Sequence, residues 1–459
     1  MMQSETQTLE LEKKEIPVIG SCDVVVAGGG TAGAIAAISA AMEGLDVLVI
    51  EQSGGLGGTS TAGLVSPVMP SHIADYPLSK LNRPTALRGE LAEMLDATGE
   101  YNDAHHCICF NPIRMTVALE ELLTKYGGNV LFHTTLVDVV KEGDTITHAI
   151  VYNKGGLQAV AAKVFIDCTG DADLCVMAGV PTFSGNSAGV NQNISLRFEM
   201  AQVDIPRYEA FMRKLAESEG GRDAFMRQKY EEGYLREEDI YHFQTFTVPG
   251  KPNCLAFNCP ELGRAVNVID PAYMSRQQME GKRAVMKLAK FCKECVEGFE
   301  NAFVTQISPI LGIRDSRRIQ AEYMLTCEDV HAFRKFRDGI AVSNYPLDAH
   351  GEKNYGMGVG QYDPDTPATE RYYEVPLRSL IPVGISNLLC AGRCAGTDFF
   401  AQSTTRIQHT CHYMGEAAGI AAGLAIERAQ SLRQLDGSAV RAKMAARGDV
   451  LLAKKYEEE

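Results

Sequence analysis

Residues Cys22–Glu51, CDVVVAGGGTAGAIAAISAAMEGLDVLVIE, decide the fold. Val24–Val26 is a short apolar run suited to a buried parallel strand. A glycine turn follows, then a small-residue helix from about Thr31 to Glu43, stopped by Gly44 in the C′ position. Val47–Ile50 forms a second strand, completing a βαβ unit of about 30 residues. Gly28, Gly30 and Gly33 stand between the first strand and the helix, where a dinucleotide-binding turn needs them. Gly28 permits the tight turn, Gly30 lets backbone approach a pyrophosphate, and Gly33 allows close helix–strand packing; the helix N-terminus supplies free N–H groups. Glu51 ends the second strand 18 residues after Gly33, close to the ~20 expected for a carboxylate that binds an adenosine ribose. The plain alternative is a glycine-rich turn followed by an ordinary surface glutamate.

The next residues bear on the cofactor. QSGGLGGTSTAG (52–63) carries Gly54, Gly55, Gly57 and Gly58, then Thr59, Ser60 and Thr61. A second glycine cluster directly after the ribose carboxylate suits backbone lying against a longer ligand. NAD needs nothing here, whereas the flavin arm of FAD runs past this loop; a flexible loop is the other reading.

Length and composition set the frame around this motif. The chain has 459 residues, enough for two or three domains. Its 44 Lys+Arg against 58 Asp+Glu give a net charge of −14, which argues against a sequence-independent nucleic-acid binder. The N-terminal MMQSETQTLELEKKE does not read as a secretory signal, and no run approaches the ~18 apolar residues of a membrane span. The 13 scattered cysteines suit reduced thiols. The expectation is a cytoplasmic enzyme with a small-molecule substrate, without nucleic-acid or membrane partners, and of a size compatible with a homo-oligomer.

Texture divides the chain. Asn111–Tyr126 reads as a helix with an early proline and a glycine stop. Strand-like stretches follow at Val130–Val140, Ile146–Tyr152 and Val160–Ile166, then the turn in FIDCTGDADL (165–174). From about Val180 to Glu374, NISLRFEM, NCLAFN and AVNVID alternate polar and apolar residues, as half-buried antiparallel strands do; a helix is predicted over about Ser275–Phe299. Parallel-sheet texture returns at NLLCAGR (387–393), before an Ala/Gly-rich helix at about Thr410–Arg428. The expected architecture is α/β. A Rossmann-like FAD-binding domain with a central parallel sheet takes residues 20–180 and 375–430. An inserted α+β substrate or cap domain with a mixed or antiparallel sheet takes 181–374, and a C-terminal tail takes 431–459.

DVVVAGGGTAGAIAA, EQSGGLGG, FIDCTGDADL, GIRDSRRIQAEY and NLLCAGRCAG…STTRIQHTCHYMGEAAGIAA together resemble the FAD-dependent oxidoreductase family of two-domain flavoproteins, distantly similar to the fumarate reductase and glutathione reductase flavin folds. The matches cover about a third of the chain and keep the family's order. The resemblance implies that Gly28, Gly30 and Gly33 hold the pyrophosphate and Glu51 the ribose. It implies that Gly57, Gly58 and Thr59 line the dinucleotide, that Val137 offers backbone to adenine, and that Thr169, Gly170 and Asp171 sit at a strand-end turn beside the cofactor. Gly392 and Arg393 match the late turn near the ribityl chain. The Ser403–Thr405 stretch, with Thr405 at its end, and the following helix would face the pyrimidine edge of the flavin. Positive charge there stabilises the reduced flavin, and Arg393 and Arg406 are candidates, with ion-pair roles as the alternative. No attachment signature is present, so the FAD is expected to be noncovalent.

Substrate-side candidates are fewer. GIRDSRR (312–318) packs Arg314, Arg317 and Arg318 into five residues before Glu322 and Tyr323. Such a cluster suits an anionic substrate bound by charge-assisted bonds, or internal pairing with Asp315 and Glu322. Arg317 is the candidate catalytic residue of this motif. His409, with His412 beside Cys411, is the candidate acid or base; Tyr373, Arg378 and Asn267 are weaker polar candidates. Cys292-x-x-Cys295 and Cys107-x-Cys109, the latter after His105-His106, lack the second pair that a zinc or iron–sulfur site needs and read as thiols, so no metal is expected. The sequence points to hydride transfer between flavin N5 and a small organic substrate. An NAD(P)-dependent dehydrogenase and a non-catalytic flavin-carrying electron-transfer subunit are the alternatives.

Overall fold

The computed structural model describes residues 15–69, 86–95, 101–102, 107–263, 267–352, 366–367, 370–449 and 452–453. The opening segment forms β1 (Val18–Ala27), α1 (Thr31–Met42) and β2 (Val47–Ile50). The helix α2 (Pro112–Lys125) leads into β3 (Asn129–Leu131), β4 (Thr135–Glu142), β5 (Thr145–Asn153) and β6 (Gly156–Asp167). Their sheet has the order β3-β2-β1-β6-β5-β4, and Leu388–Cys390 pairs with β6 as a seventh strand. The pairings β3/β2, β2/β1, β1/β6 and Leu388–Cys390/β6 are parallel. β4, β5 and β6 form an antiparallel meander, an edge that the expectation of a parallel sheet did not contain. Side chains of β1 alternate between the faces: Val24 and Val26 join the core on the α1 side, and Val25 and Ala27 the core on the other.

The inserted sheet is antiparallel. It consists of β7 (Phe198–Ala201), β8 (Thr245–Thr247), β9 (Cys254–Phe257) and, after the helix α3 (Pro271–Cys295), β10 (Phe303–Ile307), in the order β8-β9-β7-β10. It has its own core, in which Phe198 stacks on Phe257 at 4.3 Å and Val285, Leu288 and Phe291 of α3 are buried. Cys292 belongs to this core, as expected of a buried thiol; Cys107, His105 and His106 lie outside the residues whose side chains are described. The hairpin of β11 (Gly339–Ser343) with β12 (Tyr373–Pro376) lies within 181–374 for the most part, yet Ile340, Val342, Tyr373 and Val375 are buried in the core shared with α1.

The end of the chain closes on its beginning. After β13 (Leu388–Cys390) come α4 (Phe399–Thr405), α5 (Gln408–Glu427) and α6 (Gly437–Ala446). Gly415, Gly419 and Gly423 of α5 form a stripe against α1. A Cβ on Gly415 would stand 2.3 Å from the Ala32 carbonyl oxygen, and one on Gly419 would stand 2.6 Å from backbone atoms of Ala36 and Ala40. Ser39 donates to the Glu416 carbonyl at 2.9 Å across the same crossing. The tail looks merely polar in sequence, but Arg441 of α6 forms a buried pair with Glu374 at 2.8 Å, and Arg447 reaches Glu43 at 2.6 Å. No described helix is long and apolar enough to cross a membrane.

Gly419→Ala is expected to cost about 1–3 kcal/mol, the range for overpacking. Gly20→Ala, where an added Cβ meets nothing within 4 Å, is expected to be neutral. Thermal unfolding of the two variants beside the parent chain measures the difference, and equal midpoints would contradict the close crossing.

Candidate functional site

A cavity of about 1050 Å³ runs from the glycine turn after β1 to the inserted sheet. At its first end, Gly30 caps α1 without a side-chain hydrogen bond, so the first-turn N–H groups and the positive end of the helix dipole face the opening. A Cβ on Gly30 would project into open space, whereas one on Gly33 would collide with the Gly28 carbonyl oxygen at 1.8 Å. The two glycines thus serve different needs, an uncovered approach at Gly30 and close packing at Gly33. Glu51 is buried on the cavity wall, and its carboxylate accepts the Gly29 and Ser53 N–H groups, each at 2.7 Å. Gly58 and Thr59 line the same wall; Gly57 does not, and instead donates its N–H to the Gly29 carbonyl at 2.8 Å.

Thr169, Gly170 and Asp171 follow β6 and line the middle of the cavity with Gly392 and Arg393. Arg393 ties the two strand ends together, donating to the Gly170 carbonyl at 2.7 Å, the Ile313 carbonyl at 2.7 Å and Asp171 at 2.6 Å. Burial alone would raise the Asp171 pKa; Arg393 and the Ser316 hydroxyl outweigh it and hold the carboxyl below its usual range. Val137 is 40% exposed and off the cavity, at a register shift where β4 carries an extra residue against β5; Thr135 and Leu136 are the lining residues there. Thr405 is buried behind the wall, which is formed one residue later by Arg406, Ile407 and Gln408 at the start of α5. Gln408 fixes that start by donating to the Val65 carbonyl at 2.7 Å while accepting from the Ser60 hydroxyl at 2.8 Å.

Neither expected catalytic residue lines the cavity. Arg317 donates to the Asp171 carbonyl and pairs with Asp173. His409 packs edge-on against Tyr413 at 5.2 Å, and burial, then Arg88, bring its pKa down to about 3. The other two guanidiniums of the motif are also engaged, Arg314 with Glu261 at 3.2 Å and Arg318 with Asp315. Tyr373 bonds Thr404, Arg378 pairs with Asp338, and Asn267 accepts the Ile269 N–H, all away from the cavity. Glu322 pairs with Arg433 and the Tyr323 hydroxyl donates to Asp329.

The far end holds a cluster that sequence reading missed. His350 directs Nδ1 at Glu261 and Nε2 at Asp348, 3.3 Å away. Arg314 pairs with Glu261, and Arg406 with Asp348 at 3.2 Å. Burial raises both carboxyl pKa values, but Arg314 and His350 at Glu261, and His350 and Arg406 at Asp348, overcome it and keep both carboxyls ionised. His242 lies edge-on to His350 with ring centroids 5.3 Å apart, and its Nε2 is buried with no hydrogen-bond partner. Burial, opposed by Glu261 and aided by Arg314 and His350, lowers its pKa to about 4. No motif or periodicity marks His242, Glu261, Asp348 and His350, which come from three separated segments.

Residues 23–444 match the family model described as FAD dependent oxidoreductase. The digeranylgeranylglycerophospholipid reductase of Methanosarcina acetivorans is 30% identical over 171 residues, 35% of this chain and 40% of that protein. A digeranylgeranylglycerophospholipid reductase 2 of Methanococcoides burtonii is 30% identical over 171 residues, covering 35% of this chain and 41% of that protein. The chain thus matches about two-fifths of the length of these curated relatives. Among solved structures, a geranylgeranyl bacteriochlorophyll reductase-like protein of Thermoplasma acidophilum aligns with TM-score 0.44 and 13% identity over 93% of this chain and 83% of the other. The p-nitrophenol 4-monooxygenase of Pseudomonas putida aligns with TM-score 0.45 and 12% identity over 95% and 88%.

His412 beside the site gives a pH prediction. Burial, then Arg88, lower its pKa from 6.5 to about 4, so the folded chain binds fewer protons than the unfolded one. Stability from this group is full above the unfolded pKa and is lost as pH falls from about 6.5 towards 4, by about 2 kcal/mol at pH 5. Unfolding of His412→Gln at pH 7 and pH 5 should show an acid loss smaller by that amount than in the parent chain.

Proposed function

The chain belongs to the FAD-dependent oxidoreductase family, and on that premise we propose that it moves hydride between a carbon of a small organic substrate and N5 of a noncovalently held FAD. The single observation that carries this reading is the continuity of the cavity, from the N-terminus of α1 past both strand-end turns to the cluster around His350. A nicotinamide enzyme built on the first βαβ unit has no need of that extension.

The donor set fits the cofactor. Gly28, Gly30 and the uncapped start of α1 would receive the pyrophosphate, and Glu51, held by two backbone N–H groups, would present its remaining lone pairs to the ribose hydroxyls. Leu136 backbone would meet adenine, in the place expected for Val137. Gly58, Thr59, Gly170, Asp171 and Gly392 would flank the chain of the cofactor. Gly33, Gly57 and Thr405 would act one layer back, by shaping the turns, and Arg393, itself on the wall, would hold the two strand-end turns together. Bound FAD supplies a two-electron acceptor or donor. The protein's part is to present the positive start of α5 and Arg406 to the pyrimidine edge, to exclude water, and to carry the accompanying proton. The described cysteines are all free, which supports a reducing compartment such as the cytoplasm.

Purified protein is expected to show an oxidised flavin spectrum and to release the flavin on acid precipitation. A screen of small alcohols, amines and acids without oxygen is expected to find a donor that bleaches the flavin with no added protein. Glu51→Ala should weaken FAD binding at least about tenfold, about 1.4 kcal/mol. A colourless chain that takes up no FAD would refute the proposal.

A further inference from the structure

We infer that His242 takes the proton of the substrate, and that the substrate is a small, largely apolar alcohol or amine oxidised at the carbon bearing that group. The inference rests on the flavin reading above and concerns the opposite end of the same cavity.

His242 lines the cavity and is only 9% exposed. Its ring is held by edge-on packing against His350, and its Nε2 is buried without a partner. With Nε2 enclosed by protein, Nδ1 is the ring nitrogen left to the cavity. A buried imidazole with unmet hydrogen-bonding capacity at a cavity wall is costly unless a ligand or a task meets it. His350 cannot perform that task, because both of its nitrogens are directed at carboxylates, Glu261 and Asp348. It is a positioning residue. The chain Arg314–Glu261–His350–Asp348–Arg406 fixes it between the inserted unit and the start of α5.

The electrostatics support the same assignment. The charged groups facing His242 are Glu261, Asp348, Arg314 and, when protonated, His350. Burial is the largest influence and keeps His242 uncharged at neutral pH, so the ring carries a lone pair ready to accept. His242, Glu261 and His350 also have the residue types of a metal site, with ligand atoms within 4.8 Å of one another. Here Arg314 stands 3.2 Å from Glu261, which is already hydrogen-bonded to His350, and a guanidinium at that distance repels a divalent cation. The wall also carries Arg197, Gln244 and Asn258, which bond one another and the Leu64 carbonyl, and Met274, Met279, Ile310 and Leu311, which suit an apolar body. The two carboxylates of the chain balance its two guanidiniums, leaving no pair of arginines dedicated to an anion.

The step balances. The carbon–hydrogen bond breaks with its electron pair going to oxidised FAD as hydride, and the heteroatom's pair forms the carbonyl or imine π bond. The proton on oxygen or nitrogen passes to the cavity-facing nitrogen of His242. Substrate loses two electrons and FAD gains them.

The test uses the holoenzyme labelled with ¹⁵N-histidine and benzyl alcohol as the probe. One lone-pair nitrogen resonance, missing in His242→Gln, should stay neutral from pH 8 to pH 5 and move saturably as benzyl alcohol is added. Affinity for the probe should fall at least tenfold in the variant while FAD content is kept. Should His242→Gln not retain FAD, His242→Phe preserves the ring packing and serves instead. A resonance that is protonated at pH 7 or indifferent to the alcohol, or an unchanged probe affinity, overturns the inference. So does a stoichiometric divalent metal lost with His242. Failure of the parent chain to hold FAD is a separate result, seen before any probe is added, and counts against the flavin reading instead.

Discussion

Backbone of α1 lies where side chains of α5 would be. With a Cβ on Gly415 or Gly419 falling 2.3–2.6 Å from α1 backbone atoms, the two helices can cross this closely only because those positions are bare. Dispersion contacts at such a crossing are individually small and collectively large, and the buried residues of both helices belong to one core with β1. This contact sets the cavity. It brings the start of α5, more than 370 residues along the chain, beside the uncapped start of α1, so that two helix N-termini and the turns after β1, β6 and β13 open on one space. The polar clips are secondary. Gln408 and Arg393 orient loops that the helix crossing has already brought together.

What could be read from sequence follows from where the constraint acts. The βαβ unit was legible because backbone geometry, not side-chain choice, sets its glycines: positive φ at Gly28, open approach at Gly30 and collision at Gly33. The α/β class, most of the strands and the long helices came from periodicity, and the structure agrees there; AVNVID is an exception, since its described residues 267–270 form a turn and Asp270 caps α3. Strand polarity was not available in the same way. β4, β5 and β6 carry apolar runs that suit either direction, and only pairing partners reveal the meander. The cavity wall falls on Thr135 and Leu136 rather than on Val137, at a register shift in β4 that a period of two does not reveal.

Side-chain sites resist reading for a different reason. Three arginines within five residues look like a receptor for an anion, yet Arg314, Arg317 and Arg318 diverge to Glu261, Asp173 and Asp315. Charge density along a chain says little about charge density in space once each guanidinium meets its own carboxylate. The opposite error occurred at His242, Glu261, Asp348 and His350. Isolated in sequence, they carry no motif, yet His242, Asp348 and His350 meet on the cavity wall, with Glu261 bonded to His350. The polar tail was likewise opaque, because the partners that hold Arg441 in the core, Glu374 and the Phe336 and Gly339 carbonyls, are all distant along the chain.

The two ends of the cavity are therefore built on different principles. The end nearest α1 is made of bare backbone, glycine turns and a carboxylate clamped by N–H groups, features that tolerate little change and suit a ligand common to a whole family. The end under the inserted sheet is made of side chains borne by distant segments, with Glu261, Arg314, Asp348, His350 and Arg406 locked to one another by ion pairs. Each of those can be exchanged without disturbing the helix crossing. On the proposed function, chemistry shared by the family would belong at the first end and selectivity among substrates at the second. A single cavity joins the two ends, and Arg406, between α4 and α5, stands on its wall and holds Asp348.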